Sequence, residues 1–171
     1  ALWWLFSFRL GRAAEPLIPP RVLHNPVVRM GTLAACFGMG TYIGLTIFLP
    51  VYFETVRGLS ATDSGLALLP LMGGTVVGAT LSGRVLIHVR HYKRLPLVGL
   101  LMASAAIAIL ALAIRSLAMP FVEILLALVS IGLDTLLPVS THSIQNPLAP
   151  HELGTATAVA NFFRSLGGAL I

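Results

Sequence analysis

Apolar residues follow one another along this chain in long blocks, separated by short stretches where proline, glycine and charge collect. The first complete block covers about 30–53 and carries no charged residue before Glu54; others cover about 63–87, 95–114 and 119–144. A further block, about 152–171, breaks off at the last residue, and residues 1–8 read as the end of a helix whose beginning is absent. Crossing a hydrocarbon layer about 30 Å thick takes roughly 20 helical residues, so each complete block predicts one membrane-spanning helix. Membrane strands would be shorter and would alternate polar with apolar positions, which these blocks do not. A helix also satisfies its own backbone hydrogen bonds where no water is present. The expected fold is an all-α membrane protein, with a linker over 9–29 and a partial helical domain over 30–171. Both termini read as cut.

The punctuation agrees. Pro16, Pro19, Pro20 and Pro26 hold the first connection extended, and residues 146–150 (Asn-Pro-Leu-Ala-Pro) force another break. Residues 57–63 form a turn in which Ser60 or Thr62 can cap the next helix. Inside the blocks, Pro50, Pro70 and Pro138 each remove a backbone donor and predict local kinks.

Composition settles the solvent. Hydrophobic residues make up 57% of the 171 positions and charged residues 10%, against roughly 25% charged in an ordinary soluble domain. With a mean hydropathy of +0.92, the chain lacks the polar surface that water demands. Eleven Lys and Arg against six Asp and Glu give +5, yet the basic residues sit between apolar blocks and form no patch for nucleic acid. They report topology instead. Arg9, Arg12, Arg21 and Arg29 mark the first loop, and Arg84, Arg90, Lys93 and Arg94 the third, as cytoplasmic. The second and fourth loops, with only Arg57 and Arg115, face outward; the fifth is cytoplasmic by alternation. The lone cysteine, Cys36, allows no intrachain disulfide and fits no metal motif.

Small residues inside the blocks predict close helix packing: Gly40 and Gly44 in the first, Gly74 and Gly78 in the second, Gly167 and Gly168 in the last. No nucleophile elbow, phosphate loop or dinucleotide fingerprint occurs, so neither an enzyme nor a cofactor is expected. Ionisable residues within lipid are the candidates for function, because burying charge there is costly. Asp134, near the middle of the fourth block, can alternate between neutral and charged forms as water access changes, or can serve as a structural partner to another helix. Arg164, in the last block, fits an orienting ion pair or a contact with an anionic part of a substrate. Glu54, Glu123 and Arg115 fall at the outer boundary, and His142 and Gln145 near the inner end of the fourth block. His88 and His91 lie in the basic tract and read as solvated, not as a metal site. The tract itself, with Gly83, Arg84, Arg90, Lys93 and Arg94, has two compatible readings: it fixes topology, and it latches two helix ends on the cytoplasmic side.

Several ordered motifs resemble the multidrug:proton antiporters of the major facilitator superfamily, in their fourteen-helix branch. They are residues 15–19 (Glu-Pro-Leu-Ile-Pro), 56–62 (Val-Arg-Gly-Leu-Ser-Ala-Thr), 65–70 (Gly-Leu-Ala-Leu-Leu-Pro), Gln145-Asn146, 152–158 and 161–169. The resemblance implies a partial superfamily helical bundle holding the end of helix eight, helices nine to twelve and part of thirteen. A missing amino-terminal half would complete it. It implies export of drugs or other lipophilic compounds in exchange for protons, in a bacterial inner membrane. The partners would be the lipid bilayer, protons and a small-molecule substrate, without a cofactor. Another transported metabolite, or a fragment with only a structural role, remain the alternative readings. Residues 83–94 resemble the superfamily's cytoplasmic loop motif, but Leu86-Ile87 stand where that motif has an acidic residue. Asp134 also departs from the family pattern, which has a small or apolar residue in the glycine-rich run beginning near Gly132.

Overall fold

The computed structural model describes residues 26–88, 95–136, 138, 139, 141 and 153–170. The expected helix end over 1–8, most of the linker, and Arg90, Lys93, Arg94, His142 and Gln145 lie outside the described residues. Over the described residues the chain is all-α, without strands: α1 (Pro26–Thr55), α2 (Ala61–Leu66), α3 (Leu69–His88), α4 (Leu95–Ala113), α5 (Met119–Asp134) and α6 (Leu153–Ala169).

The helix boundaries follow from backbone donors and acceptors. At Pro26, the first described residue, α1 is already helical, four residues ahead of the expected start, and a proline is tolerated in a first turn because no N–H donor is needed there. Arg29, expected in the linker, is therefore already helical. At its other end, Gly58 takes a left-handed conformation (φ 67°) that side chains resist, and the Leu59 N–H returns to the Phe53 carbonyl at 3.1 Å. Ser60 then caps α2: its hydroxyl oxygen accepts from the Asp63 N–H at 3.1 Å and its proton goes to the Asp63 carboxylate at 2.7 Å.

The second expected helix, about 63–87, is two helices in the structure. α2 ends at Leu66 and α3 begins at Leu69. Leu66 stands four residues before Pro70, which has no N–H to offer the Leu66 carbonyl. The fourth expected helix, about 119–144, is likewise interrupted: α5 stops at Asp134, four residues before Pro138. Helical conformation resumes at Leu136 and is seen again at Pro138, Val139 and Thr141. Pro50 sits inside α1 without breaking it. Among the described residues, three helical stretches are long and apolar enough to cross a membrane: Arg29–Thr55, Ala61–Val85 (α2 with α3) and Pro96–Ala113.

α5 is the centre of the bundle. α3 packs along one side of it and α4 along another, while α1 pairs chiefly with α6 and touches α5. Phe53, Leu71, Val122, Leu126 and Val129 are completely buried where α1, α3 and α5 meet. On the outside, Phe37, Phe48, Val76, Leu101 and Leu112 are exposed, the last at 89%. A helix that shows large apolar side chains on its outer face is solvated by lipid, and the chain is an integral membrane protein.

The contacts around α5 leave no room for side chains on several glycines. A Cβ at Gly74 would lie 2.7 Å from the Ala127 carbonyl oxygen, and one at Gly78 2.8 Å from that of Ile131. A Cβ at Gly99 would meet the Gly132 carbonyl oxygen at 2.8 Å, and one at Gly132 would run into the Gly99 carbonyl. On the α1–α6 pair, Gly167 rests on the Cys36 backbone and Gly168 on Ile43, while Gly40 and Gly44 are buried. Gly73, by contrast, has open space around it.

The connections after α1 and after α4 are tied together. The Arg57 guanidinium, through Nη2, donates to the Leu117 carbonyl at 2.6 Å and to the Ile114 carbonyl. It thereby supplies donors to carbonyls just past the end of α4 and holds the 56–60 and 114–118 turns at one end of the bundle. The fold predicts that Gly132→Val, which forces α4 from α5, lowers unfolding free energy in detergent by about 1–3 kcal/mol. Gly73→Val, pointing into open space, should stay within about 0.5 kcal/mol of the parent; equal loss in both variants would remove the α4–α5 crossing as the tight contact.

Candidate functional site

Asp134 is the last residue of α5, and its Cβ is the group that a side chain on Gly78 would meet at 3.1 Å. The missing side chain on Gly78 is therefore what lets α3 lie against α5 at this level. Toward α1 the helices separate, leaving a cavity of about 240 Å³ lined by Ala35, Gly38, Met39 and Tyr42 of α1, Thr75 of α3, and Leu133, Asp134 and Leu136. The α1 positions 35, 38, 39 and 42 follow the three-and-four spacing of one helix face, so one stripe of α1 forms one wall. Gly38 brings that wall within close range of the Leu136 side chain, which a Cβ there would meet at 3.0 Å.

The cavity is mainly apolar, with few polar groups. Asp134 is half-buried, and its Oδ2 is buried without a hydrogen-bond partner. Thr75 donates its hydroxyl proton to the Met72 carbonyl of its own helix at 2.7 Å. Tyr42 faces the same cavity as the Asp134 carboxyl. The polar side chains near Asp134 in the chain turn to local backbone: Ser130, one turn back on α5, donates to Ala127 at 3.0 Å, and Thr135, just past the helix, to Gly132 at 2.7 Å. A carboxyl that accepts no hydrogen bond on one oxygen, beside a space large enough for several waters, is a group whose charge depends on what fills that space.

Of the residues singled out from sequence, the structure brings Asp134 and Gly78 together, with Gly74 one turn away on the same α3–α5 contact. Arg164 is half-buried on α6, the helix paired with α1, and is not among the residues lining the Asp134 cavity. Gly83 and Arg84 lie near the end of α3; Arg84 is exposed but has an interaction partner. Glu54 and Arg115 are exposed and Glu123 is half-buried. Tyr42 and Thr75 are site residues that sequence reasoning does not single out. Among the described residues no cluster of His, Cys, Asp or Glu is arranged to hold a metal ion.

A cysteine scan tests the cavity. With Cys36→Ser as background, Met39→Cys and Thr75→Cys should react with a small water-soluble thiol reagent. Ala103→Cys, sealed in the α4–α5 crossing, should not. Protection of all three positions would mean that water does not reach the cavity.

Comparison with known proteins places this geometry in a wider setting. A family model described as the Major Facilitator Superfamily matches residues 7–171. An uncharacterized MFS-type transporter of Mycobacterium tuberculosis is 31% identical over 164 residues, covering 95% of this chain and 24% of the relative. The multidrug transporter protein MdtP of Bacillus subtilis is 25% identical over 170 residues, 98% of this chain and 31% of that protein. An efflux pump of Aspergillus brasiliensis is 33% identical over 161 residues, 90% of this chain and 27% of the pump. The chain thus spans about a quarter to a third of the length of these relatives.

Proposed function

The chain belongs to the major facilitator superfamily, and on that premise we propose that it forms part of the carboxyl-terminal half of a secondary transporter that exports lipophilic compounds in exchange for protons. Superfamily members are transporters, and the chain is not an enzyme. The names of the Bacillus multidrug transporter and the Aspergillus efflux pump support export as the direction of transport. The ordered sequence motifs support the fourteen-helix antiporter branch, with an amino-terminal half as structural partner and a cell membrane as location.

One observation carries the coupling part of the reading: the Asp134 carboxyl, with an unpartnered oxygen, stands on the wall of a cavity between three helices. In lipid an ionisable group without a fixed partner is kept where it serves an ion or substrate path. When protonated, Asp134 is neutral and the cavity tolerates closure. When the proton leaves to water, the carboxylate needs donors or a cation, and the cavity must open or fill. A two-half transporter that alternates access to a site near the bilayer midplane can use that difference to link proton and substrate movement. Arg164, on α6, is assigned to orienting that helix against α1, apart from the cavity. The basic residues Arg84, Arg90, Lys93 and Arg94, with Gly83, are assigned to holding helix ends at the cytoplasmic surface.

The test is pH-gradient-driven efflux of a lipophilic cation from vesicles that carry this chain together with the amino-terminal half of a related transporter. Asp134→Asn should reduce gradient-driven efflux about tenfold at unchanged membrane insertion, the size of an ordinary coupling free energy. Full retention of gradient-driven efflux in Asp134→Asn would remove Asp134 from the coupling path.

A further inference from the structure

The accounting of donors around Asp134 is one-sided. Its Oδ2 has no partner. Its backbone carbonyl has also lost the usual helical donor, because the residue four positions on is Pro138. Acceptors therefore accumulate at this single level of α5, in a place where lipid supplies no donors. Of the residues lining the cavity, Ala35, Gly38, Met39, Leu133 and Leu136 have no strong side-chain donor, and the Thr75 proton is committed to Met72. Tyr42 remains. It packs against the apolar core and lines the same cavity as Asp134.

Among the described residues, other titratable groups on the packed elements stand elsewhere. On α1, Arg29 is exposed near the start of the helix, Cys36 lies against Gly167 of α6, and Tyr52 and Glu54 are near its far end; on α3, Arg84 lies near the end of the helix. α4 carries no titratable side chain, and Glu123 is about three turns back along α5. Arg164 is on α6 and does not line the cavity.

We propose that Tyr42 is the positioning residue for proton exchange at Asp134: its phenol hydroxyl donates, directly or through one cavity water, to the ionised carboxylate. When Asp134 is protonated the direction reverses, and the carboxyl O–H donates toward the phenol oxygen. Tyr42 keeps its own proton throughout; the proton that leaves Asp134 passes to water in the cavity. This inference rests on the reading of Asp134 as a proton-exchanging group. A donor held across the cavity stabilises the charged carboxylate, so Tyr42 sets the pH at which the exchange takes place and ties it to the distance between α1 and α5.

The experiment uses the 171-residue chain reconstituted in lipid vesicles, followed by infrared titration of the protonated-carboxyl stretching band. The Asp134 band is identified by its loss in Asp134→Asn. Tyr42→Phe preserves the ring and removes only the hydroxyl. It should move the midpoint of that band by roughly one unit toward alkaline pH, because the charged form loses its donor, and should change the band's frequency. Thr75→Val, whose hydroxyl serves its own helix, should leave the midpoint in place. On the Asp134→Asn background, Tyr42→Phe should leave the remaining carboxyl bands unaltered. An Asp134 band that titrates with the same midpoint and frequency in Tyr42→Phe overturns the role of Tyr42 and leaves the reading of Asp134 standing. An equal shift in Thr75→Val overturns it too, in favour of general cavity polarity. If no titrating band depends on Asp134 at all, both the reading and the inference built on it fall.

Discussion

The position of α5 depends on the absence of side chains on either side of it. Gly74 and Gly78 on α3, and the mutual contact of Gly99 on α4 with Gly132 on α5, bring backbone against backbone at separations no Cβ would permit. Within lipid, helices gain nothing from excluding water, so shape and close contact decide which faces meet. This pair of contacts clamps α5 from two directions and fixes its rotation about its own axis. Its rotation in turn decides where Asp134 points. With α3 and α4 occupying two sides, the carboxyl is left at the third, toward α1, where the helices stand apart and the cavity forms. The glycines and the acid are thus parts of one arrangement, the first setting the direction in which the second is presented.

Proline supplies the complementary constraint. Lipid punishes every unpaired backbone group, yet this chain twice ends a regular helix four residues before a proline, at Leu66 and at Asp134. The first break lies near the end of the bundle that holds Arg57, where α2 is short, capped by Ser60, and followed by a turn in which the Leu68 N–H reaches the Gly65 carbonyl at 3.2 Å. The second lies at the cavity. Irregular backbone at membrane depth is tolerated where protein surrounds it or where it borders an aqueous space, and the Asp134 break lies beside the cavity between α1, α3 and α5. The Arg57 clasp shows the same economy at the surface, where one guanidinium serves carbonyls left over past the end of α4.

Helix class and the run of blocks were legible in the sequence because uninterrupted apolar stretches of that length have few other solutions. The consequences of Pro70 and Pro138 were legible as kinks but not as helix ends, since Pro50 sits inside α1 and leaves it whole; the outcome depends on neighbours that can absorb a lost hydrogen bond. Asp134 stood out by its charge. Tyr42 and Thr75 did not, because α1 and α3 are apolar nearly all round, and a helix without a polar face does not announce which side turns inward. The spacing of 35, 38, 39 and 42 is a regular stripe only once α5 is known to lie opposite. Gly99 and Gly132 escaped for a related reason: each is a single glycine on its own helix, and the contact exists only between them. Arg57 entered the sequence reading as one charge in a topology count, whereas its hydrogen bonds reach residues more than fifty positions away, beyond any local pattern.

The energetic logic of the cavity follows from the hydrogen-bond capacity of a carboxyl group. Ionised, it can accept about four hydrogen bonds; protonated, it donates one and asks for fewer in return. In the described arrangement the protein itself provides little to the charged form: Oδ2 is unpartnered, Thr75 is committed to its own helix, and apart from Tyr42 the other described lining side chains are apolar. The remaining hydrogen bonds must come from water or from a ligand entering the space between α1 and α5. A fixed ion pair would remove that dependence and make Asp134 a structural strut. A fully dry apolar pocket would keep it neutral and inert. The described arrangement lies between these limits, with Tyr42 on the same cavity and room for solvent; on the proposed reading, the protonation state and the contents of the cavity change together. Such a linkage is what separates a group capable of coupling from one that only holds helices in place.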